Sequence, residues 1–148
     1  MLKALVRERV RSPSLLVLSA SALPAAAERA KSAEGLAEIF SVVLGDRAPA
    51  TESLRGDFVA DFALWASLPS EHAEPIDVPI AAFAGQDDRI AGKDAMTAWR
   101  RATTAAFSLA EYPGGHFYIT DDAAREPMLE DLRGKIGELL APAGSPSR

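Results

Sequence analysis

PIAAFAGQDDRIAGKDAMTAWRRATTAAFSLAEY, Pro79 to Tyr112, is the most regular part of the sequence. It opens with the apolar run 79–85, which is typical of a buried strand, and it closes with a second such run at 105–112. The residues between them, 92–103, place three apolar side chains on one helical face: Ala95, Met96 and Trp99. A strand, a crossover helix and a second strand within about 30 residues predict a right-handed unit of two parallel strands.

The chain before this unit contains one more strand candidate and three helix candidates. The continuous apolar run in SLLVLSA, residues 14–20, predicts another buried strand. Apolar residues at helical spacing predict helices at 1–11, 36–43 and 54–65. A polar, proline-punctuated loop, 69–79, then leads into the parallel unit.

Residues 121–140 predict a long C-terminal helix. Asp121 and Asp122 can cap its N-terminus, and we interpret them as a cap rather than a metal site because no further carboxylate or histidine follows at ligand spacing. An apolar stripe runs along the helix: Met128, Leu129, Leu132, Ile136, Leu139 and Leu140. Since we find no internal repeat and no second domain, we predict a single domain, 1–148, of the α/β class with a mostly parallel sheet and flanking helices.

The composition excludes several classes of function. The 148 residues include no cysteine, which excludes disulfides, thiolate metal sites and a cysteine nucleophile. A net charge of −5 and a pI near 5.0 argue against nucleic-acid binding, because phosphate contacts need a clustered basic face. No apolar run approaches the ~20 residues of a membrane span, and the charged N-terminus lacks the apolar core of a signal peptide. We therefore expect a cytoplasmic protein without a membrane or nucleic-acid partner.

Three candidate functional residues follow two neighbouring strands of the predicted sheet. Asp87 and Asp88 come just after the strand that ends at Gly85, and His116, one of two histidines, follows the strand that ends at Tyr112. Because parallel strands bring their carboxyl ends to one edge, a carboxylate and an imidazole placed there can reach hydrogen-bonding distance. Two glycines before the histidine suit a sharp turn. The pair is typical of the back half of a nucleophilic triad, and a purely structural loop pair is the alternative.

Residues 85–120, GQDDRIAGKDAMTAWRRATTAAFSLAEYPGGHFYIT, resemble the C-terminal part of the type II thioesterases, the α/β-hydrolase editing enzymes of polyketide and nonribosomal peptide assembly lines. The shared pattern is a glycine, two residues and an aspartate, then a helix with a tryptophan, then PGGHF. Upstream, LLVLSASALP is similar to the family's sixth strand and the turn after it, and LRGDFVADFALW with PIDVPI is similar to its lid exit and the approach to the seventh strand. The resemblance is loose up to residue 54 and close from 57 to 120.

This resemblance implies a partial α/β-hydrolase with a helical, lid-like segment at about 25–66 and the Asp/His loops within 85–120. Asp88 matches the family's catalytic aspartate, which orients the histidine, and His116 matches the catalytic histidine, which acts as general base and acid; Asp87 matches no conserved role. Three aromatic residues would line an acyl pocket if the segment is a lid, although their helical spacing is equally typical of core packing: Phe58, Phe62 and Trp65. The implied reaction is hydrolysis of acyl groups from the phosphopantetheine arm of acyl or peptidyl carrier proteins, with side chains and water alone and no metal or organic cofactor.

The chain departs from the family because it contains no G-x-S-x-G nucleophile elbow. We expect the missing serine upstream of Met1, and we consider Ser19 or Ser21, at the end of the first strand, a poor substitute because neither has the strained turn and aimed amide donors of an elbow. Three interpretations stay open. The chain is a hydrolase that needs an upstream or separate serine, or a degenerate thioesterase that only binds acyl chains or carrier proteins, or a fragment with a true start further upstream.

Three further predictions concern single features. We expect His72, in the polar loop, to be a solvated surface residue, and Trp99 to pack the crossover helix on the sheet. If the strand at 14–19 lacks a neighbour on one side, its bare apolar edge predicts self-association or poor solubility.

Overall fold

A computed structural model describes residues 12–22, 35, 39, 41, 56, 60–61, 64 and 74–141. Its strands are β1 (Leu16–Ser19), β2 (Ile80–Gly85) and β3 (Phe107–Tyr112). Its helices are α1 (Lys93–Thr97), which continues as a 3₁₀ helix (Ala98–Ala102), and α2 (Asp122–Leu140), which a second 3₁₀ helix (Tyr118–Thr120) precedes. Isolated residues in or directly before the two upstream helix predictions are also helical: Gly35, Ile39, Ser41, Gly56, Ala60, Asp61 and Leu64.

The described strands form one sheet in the order β1-β2-β3, and both pairings are parallel. Ser19 pairs with Phe83, and Gly85 pairs with Tyr112. The carboxyl ends of all three strands therefore lie at one edge of the sheet. The α/β class and the strand–helix–strand unit predicted from 79–112 are confirmed.

The core lies on both faces of β2, which is buried along its whole length. Alternate residues of a strand point to opposite faces, so Ala81 and Phe83 join one cluster and Ala82 and Ala84 the other. The first cluster is completed by residues of β3 and the C-terminal helices: Tyr112, Tyr118, Ala124 and Met128. The second is completed by residues on the side of α1: Ala22, Ala91 and Met96. A strand covered on both faces explains the unbroken apolar run that identified it.

The crossover helix is less regular than the predicted helix at 92–103. Only Lys93–Thr97 is α-helical, and the chain then tightens into the 3₁₀ helix. The Thr97 hydroxyl donates to the Lys93 carbonyl at 2.8 Å, a bond that competes with regular helix geometry. Trp99 packs against the second cluster as predicted, and its indole N–H also donates to the Ser21 carbonyl at 2.6 Å.

Helix α2 begins at the predicted cap, because an Asp121 carboxylate oxygen accepts a hydrogen bond from the Ala123 N–H at 2.9 Å. Its apolar stripe is buried only in part. Met128 lies in the core, with Leu129 and Leu132 packed against it, whereas Ile136, Leu139 and Leu140 are exposed. Periodicity predicted a shared face, but within the described residues the packed part of the sheet ends before the last two turns of the helix.

Several predictions fall outside the described residues. They include the helix at 1–11, His72, most of the lid-like segment and the three aromatic residues assigned to it: Phe58, Phe62 and Trp65. Within the described residues, no helix is both long and apolar enough to cross a bilayer.

Candidate catalytic site

Asp88 is fixed by the loop that follows β2. Its side chain is fully buried. One carboxylate oxygen, Oδ1, accepts hydrogen bonds from the backbone N–H groups of Ile90 at 2.8 Å and Ala91 at 2.9 Å. An aspartate that accepts from the backbone two and three residues ahead stabilises a tight turn. This turn leaves the second oxygen, Oδ2, for another partner.

That partner is His116, whose Nδ1 lies 3.0 Å from Asp88 Oδ2. An ionised carboxylate only accepts hydrogen bonds, so the imidazole must donate through an Nδ1–H. In the neutral ring, Nε2 is then the unprotonated nitrogen that can accept a proton. The side chain is 19% exposed, so the ring is sheltered but still open to a reactant. The sequence placed these two side chains within reach, and the structure brings them together.

The hydrogen bonds set the ionisation of Asp88. Burial alone would raise the pKa of this carboxyl, because desolvation disfavours the charged form. The hydrogen bond from His116, those from the Ala91 and Ile90 amides and the nearby histidine charge together outweigh burial, and the pKa of Asp88 falls below its ordinary value. The carboxylate is therefore ionised near neutral pH, as an acceptor of the Nδ1 proton must be.

Glycines let the two loops approach closely. A Cβ at Gly85 would lie 2.3 Å from the Gly115 carbonyl oxygen and 2.5 Å from that of Gly114. Gly114 has a φ of +106°, which side chains other than glycine's rarely allow. The Asp87 N–H donates to the Gly114 carbonyl at 2.9 Å and links the loops directly. The sharp glycine turn predicted before His116 is confirmed. Gly85 is a third glycine that the close packing of the two loops requires.

A tyrosine ties the histidine loop to the first strand. Tyr118 is buried, and its hydroxyl shares a hydrogen bond of 2.6 Å with that of Ser19, at the carboxyl end of β1. Burial, the largest cause, raises the pKa of Tyr118, so the phenol stays protonated at neutral pH. The Ser19 hydroxyl is thus hydrogen-bonded to Tyr118, and no described contact joins Ser19 to His116.

A cavity of about 270 Å³ adjoins the histidine. Small and apolar residues form most of its described wall: Ala20, Ala22, Ile90 and Ala91. Three polar residues complete it, namely His116, Ser21 and Asp61. The described wall of the cavity is thus mainly apolar, with the imidazole on its boundary.

The sequence predicted that Asp88 and His116 lie within reach of each other, but not the groups that hold them. The Ile90 and Ala91 amides were missed, although an aspartate at the start of a turn is a known signal for such bonds. The Ser19–Tyr118 bond joins residues 99 positions apart and has no local signal. Asp87 is exposed and makes no described side-chain bond with the pair. In the described part of the chain, no group of three or more histidine, aspartate or glutamate side chains could hold a metal ion.

Comparison with solved structures identifies the architecture as part of an α/β-hydrolase fold. The thioesterase RedJ of the prodiginine pathway in Streptomyces coelicolor superimposes with a TM-score of 0.71 at 26% identity, over 88% of this chain and 54% of that one. The type II thioesterase BorB of the borrelidin cluster gives a TM-score of 0.58 over 88% of this chain and 53% of that one, and its 23% identity supports the fold alone. The chain thus spans about half of either structure.

The chain belongs to the thioesterase domain family, whose family model matches residues 3–136. Gramicidin S biosynthesis protein GrsT of Aneurinibacillus migulanus is 34% identical over 83 residues, which are 56% of this chain and 32% of GrsT. Thioesterase TesA of Mycobacterium marinum is 45% identical over 73 residues, which are 49% of this chain and 27% of TesA. The resemblance to type II thioesterases is confirmed, and the chain spans about a third or less of these two relatives.

Proposed function

We propose that this chain supplies the acid–base half of a type II thioesterase, which hydrolyses acyl thioesters on the phosphopantetheine arm of acyl or peptidyl carrier proteins. One observation carries the proposal: the buried, ionised Asp88 accepts a hydrogen bond from His116 Nδ1–H, with Nδ1 and Oδ2 3.0 Å apart, which leaves Nε2 available. The names of the relatives support the setting, since they belong to gramicidin S, prodiginine and borrelidin biosynthesis. We place this function in the cytoplasm, as expected from the sequence.

The pair would act twice in each turnover. His116 Nε2 takes the proton of a serine hydroxyl while the serine oxygen attacks the thioester carbonyl, and it returns that proton to the departing thiolate. A water molecule then attacks the acyl-serine, again losing its proton to Nε2. The histidine finally protonates the serine oxygen as the carboxylic acid leaves. Asp88 keeps the ring in the required tautomer and stabilises the imidazolium at each stage.

The serine of this scheme comes from outside the 148 residues, because they contain no G-x-S-x-G motif. Ser19 is a poor candidate, since its hydroxyl is engaged by Tyr118. A second candidate function follows from the same observation. A degenerate thioesterase would keep the acyl cavity and the carrier-protein surface and would bind without turnover.

A fluorophosphonate probe, a binding measurement and a hydrolysis assay with an added serine-bearing thioesterase partner together separate these functions. The purified chain and its His116→Ala and His72→Ala variants are treated with the probe, and adducts are mapped by peptide mass spectrometry. In parallel, a non-hydrolysable acyl-pantetheine amide is titrated while the NMR signals of the two histidines are followed.

We expect the acyl-pantetheine to shift the His116 signals without serine labelling of the chain alone. A labelled serine that is lost only in His116→Ala would show that the chain carries its own nucleophile and would overturn the external serine. No labelling and no shift on a folded sample would overturn the proposed function. A shift that persists when a serine-bearing partner fails to restore hydrolysis would favour the degenerate binder.

A further inference from the structure

The cavity beside His116 contains one carboxylate that the proposed mechanism does not use. Asp61 lines it together with the small apolar wall. Among the described residues that line the cavity, none is a lysine or an arginine. The structure gives the Asp61 side chain no hydrogen bond or ion pair within its described part. An exposed carboxylate without a partner has room for a cationic one.

Asp61 and His116 line the same cavity. In the proposed mechanism the thioester carbonyl lies at His116, so an acyl chain entering the same cavity extends along its apolar wall. A purely hydrocarbon chain would lie beside the Asp61 carboxylate without offering a positive charge or a hydrogen-bond donor to it. A chain with an ammonium group at that point would form an ion pair, which is favourable at close range even where solvent screens it.

We propose that Asp61 makes this cavity selective for short acyl groups that carry a cationic amine at the far end of the chain, over uncharged chains of the same size. The inference rests on the proposed function, because it takes the cavity as the acyl subsite. It names a substrate class and a specificity-determining residue; Asp61 takes no part in the bond-breaking steps. Because Asp61 is exposed, the selectivity is modest and depends on salt.

The test compares two probes that differ in one terminal group. These are the 4-aminobutyryl and pentanoyl amides of aminopantetheine, in which nitrogen replaces the thioester sulfur so that neither probe hydrolyses or cyclises. Their chains have equal length, with an ammonium group in one where the other has a methyl group. Dissociation constants for the full chain are read from the NMR signals of His116.

We expect the ammonium probe to bind about two- to five-fold more tightly at low salt, and this preference to vanish at about 0.5 M salt. Asp61→Asn, which keeps the size and removes the charge, should bind both probes equally. Asp77→Asn is the matched control, because it removes the same charge beside the amino end of β2, and it should keep the preference.

The other outcomes are distinct. If both probes shift His116 with equal affinity, or if the preference survives in Asp61→Asn, the selectivity is overturned while the acyl site stands. If neither probe shifts His116 in a folded sample, the acyl site itself fails and the inference fails with it.

Discussion

Asp88 is held from two directions, and this fixes the chemistry of the histidine. Its Oδ1 accepts hydrogen bonds from two amides of its own loop, and its Oδ2 accepts one from His116 Nδ1–H. The two backbone bonds orient the carboxylate independently of the imidazole. Oδ2 is therefore already positioned to accept the hydrogen bond when His116 packs against it. The pair is therefore preorganised, as the proposed proton transfer requires.

Asp88→Asn should reverse the tautomer of His116. An asparagine can still accept the Ile90 and Ala91 amides through its oxygen, but its NH₂ group then faces the ring and donates to Nδ1. We expect neutral His116 to change from the Nδ1–H to the Nε2–H form, as read from imidazole ¹⁵N shifts. The other histidine, His72, is the internal control and should not change. An Nδ1–H tautomer in the variant would contradict the assignment.

The lowered pKa of Asp88 predicts a specific loss of stability in acid. A carboxyl whose folded-state pKa is below its ordinary value of 3.8 stabilises the fold above that value, and this contribution is lost as the pH falls below it. Urea unfolding between about pH 5 and pH 2.5 should therefore show a smaller loss of the free energy of unfolding in Asp88→Asn than in the wild type. Asp87→Asn, at the neighbouring exposed aspartate, is the control. Parallel pH profiles for the wild type and Asp88→Asn would contradict the prediction.

At the scale of elements, the site depends on how closely two loops pass. The carbonyl oxygens of Gly114 and Gly115 occupy the space that a side chain at Gly85 would need. The loop after β2 and the loop after β3 can therefore meet only where β2 ends in a glycine. A displacement here would move His116 away from Asp88.

Gly85→Ala should accordingly lower the free energy of unfolding by about 2 kcal/mol, because its Cβ meets backbone that must move. Gly134→Ala is the matched control. It adds the same methyl group inside α2, where nothing lies within 4 Å, and should raise stability by about 0.5–1 kcal/mol. Both values are measured by urea denaturation. If Gly85→Ala is as stable as the wild type, the close approach of the loops is wrong.

The described elements that could be predicted from the sequence are those whose own residues carry a recognisable pattern. The run 79–85 is apolar throughout because both of its faces are buried, and Asp121 caps α2 through its own backbone. The 3₁₀ ending of the crossover helix was not predicted, because small differences in geometry after Thr97 decide it. The Ser19–Tyr118 bond depends on the parallel register of three strands, which no local pattern specifies.

For the molecule as a whole, the outer edge of β1 matters because it has no partner among the described strands and carries an exposed apolar side chain. On the side away from β2, β1 pairs with no other described strand, and Val17 is 39% exposed. Unpaired strand edges with apolar side chains favour pairing with other chains. The exposed end of the α2 stripe adds further apolar surface: Ile136, Leu139 and Leu140.

We therefore predict that the chain self-associates in a concentration-dependent manner, as measured by light scattering. Val17→Lys should reduce the association, because a charged side chain on an edge strand opposes pairing. Ser12→Lys, which adds the same charge at an exposed position before the strand, should not. A wild-type chain that stays monomeric at high concentration would count against a role for this edge.

The loop around Asp88 also bears on the order in which the molecule assembles. Its two amide bonds close over two and three residues, whereas the bond to His116 closes over 28. Because the entropic cost of closing a chain segment rises with its length, the acid loop can form early and the base docks onto it later. Hydrogen exchange at the Ile90 and Ala91 amides thus reports the first event, and protection of the β2–β3 pairing reports the second.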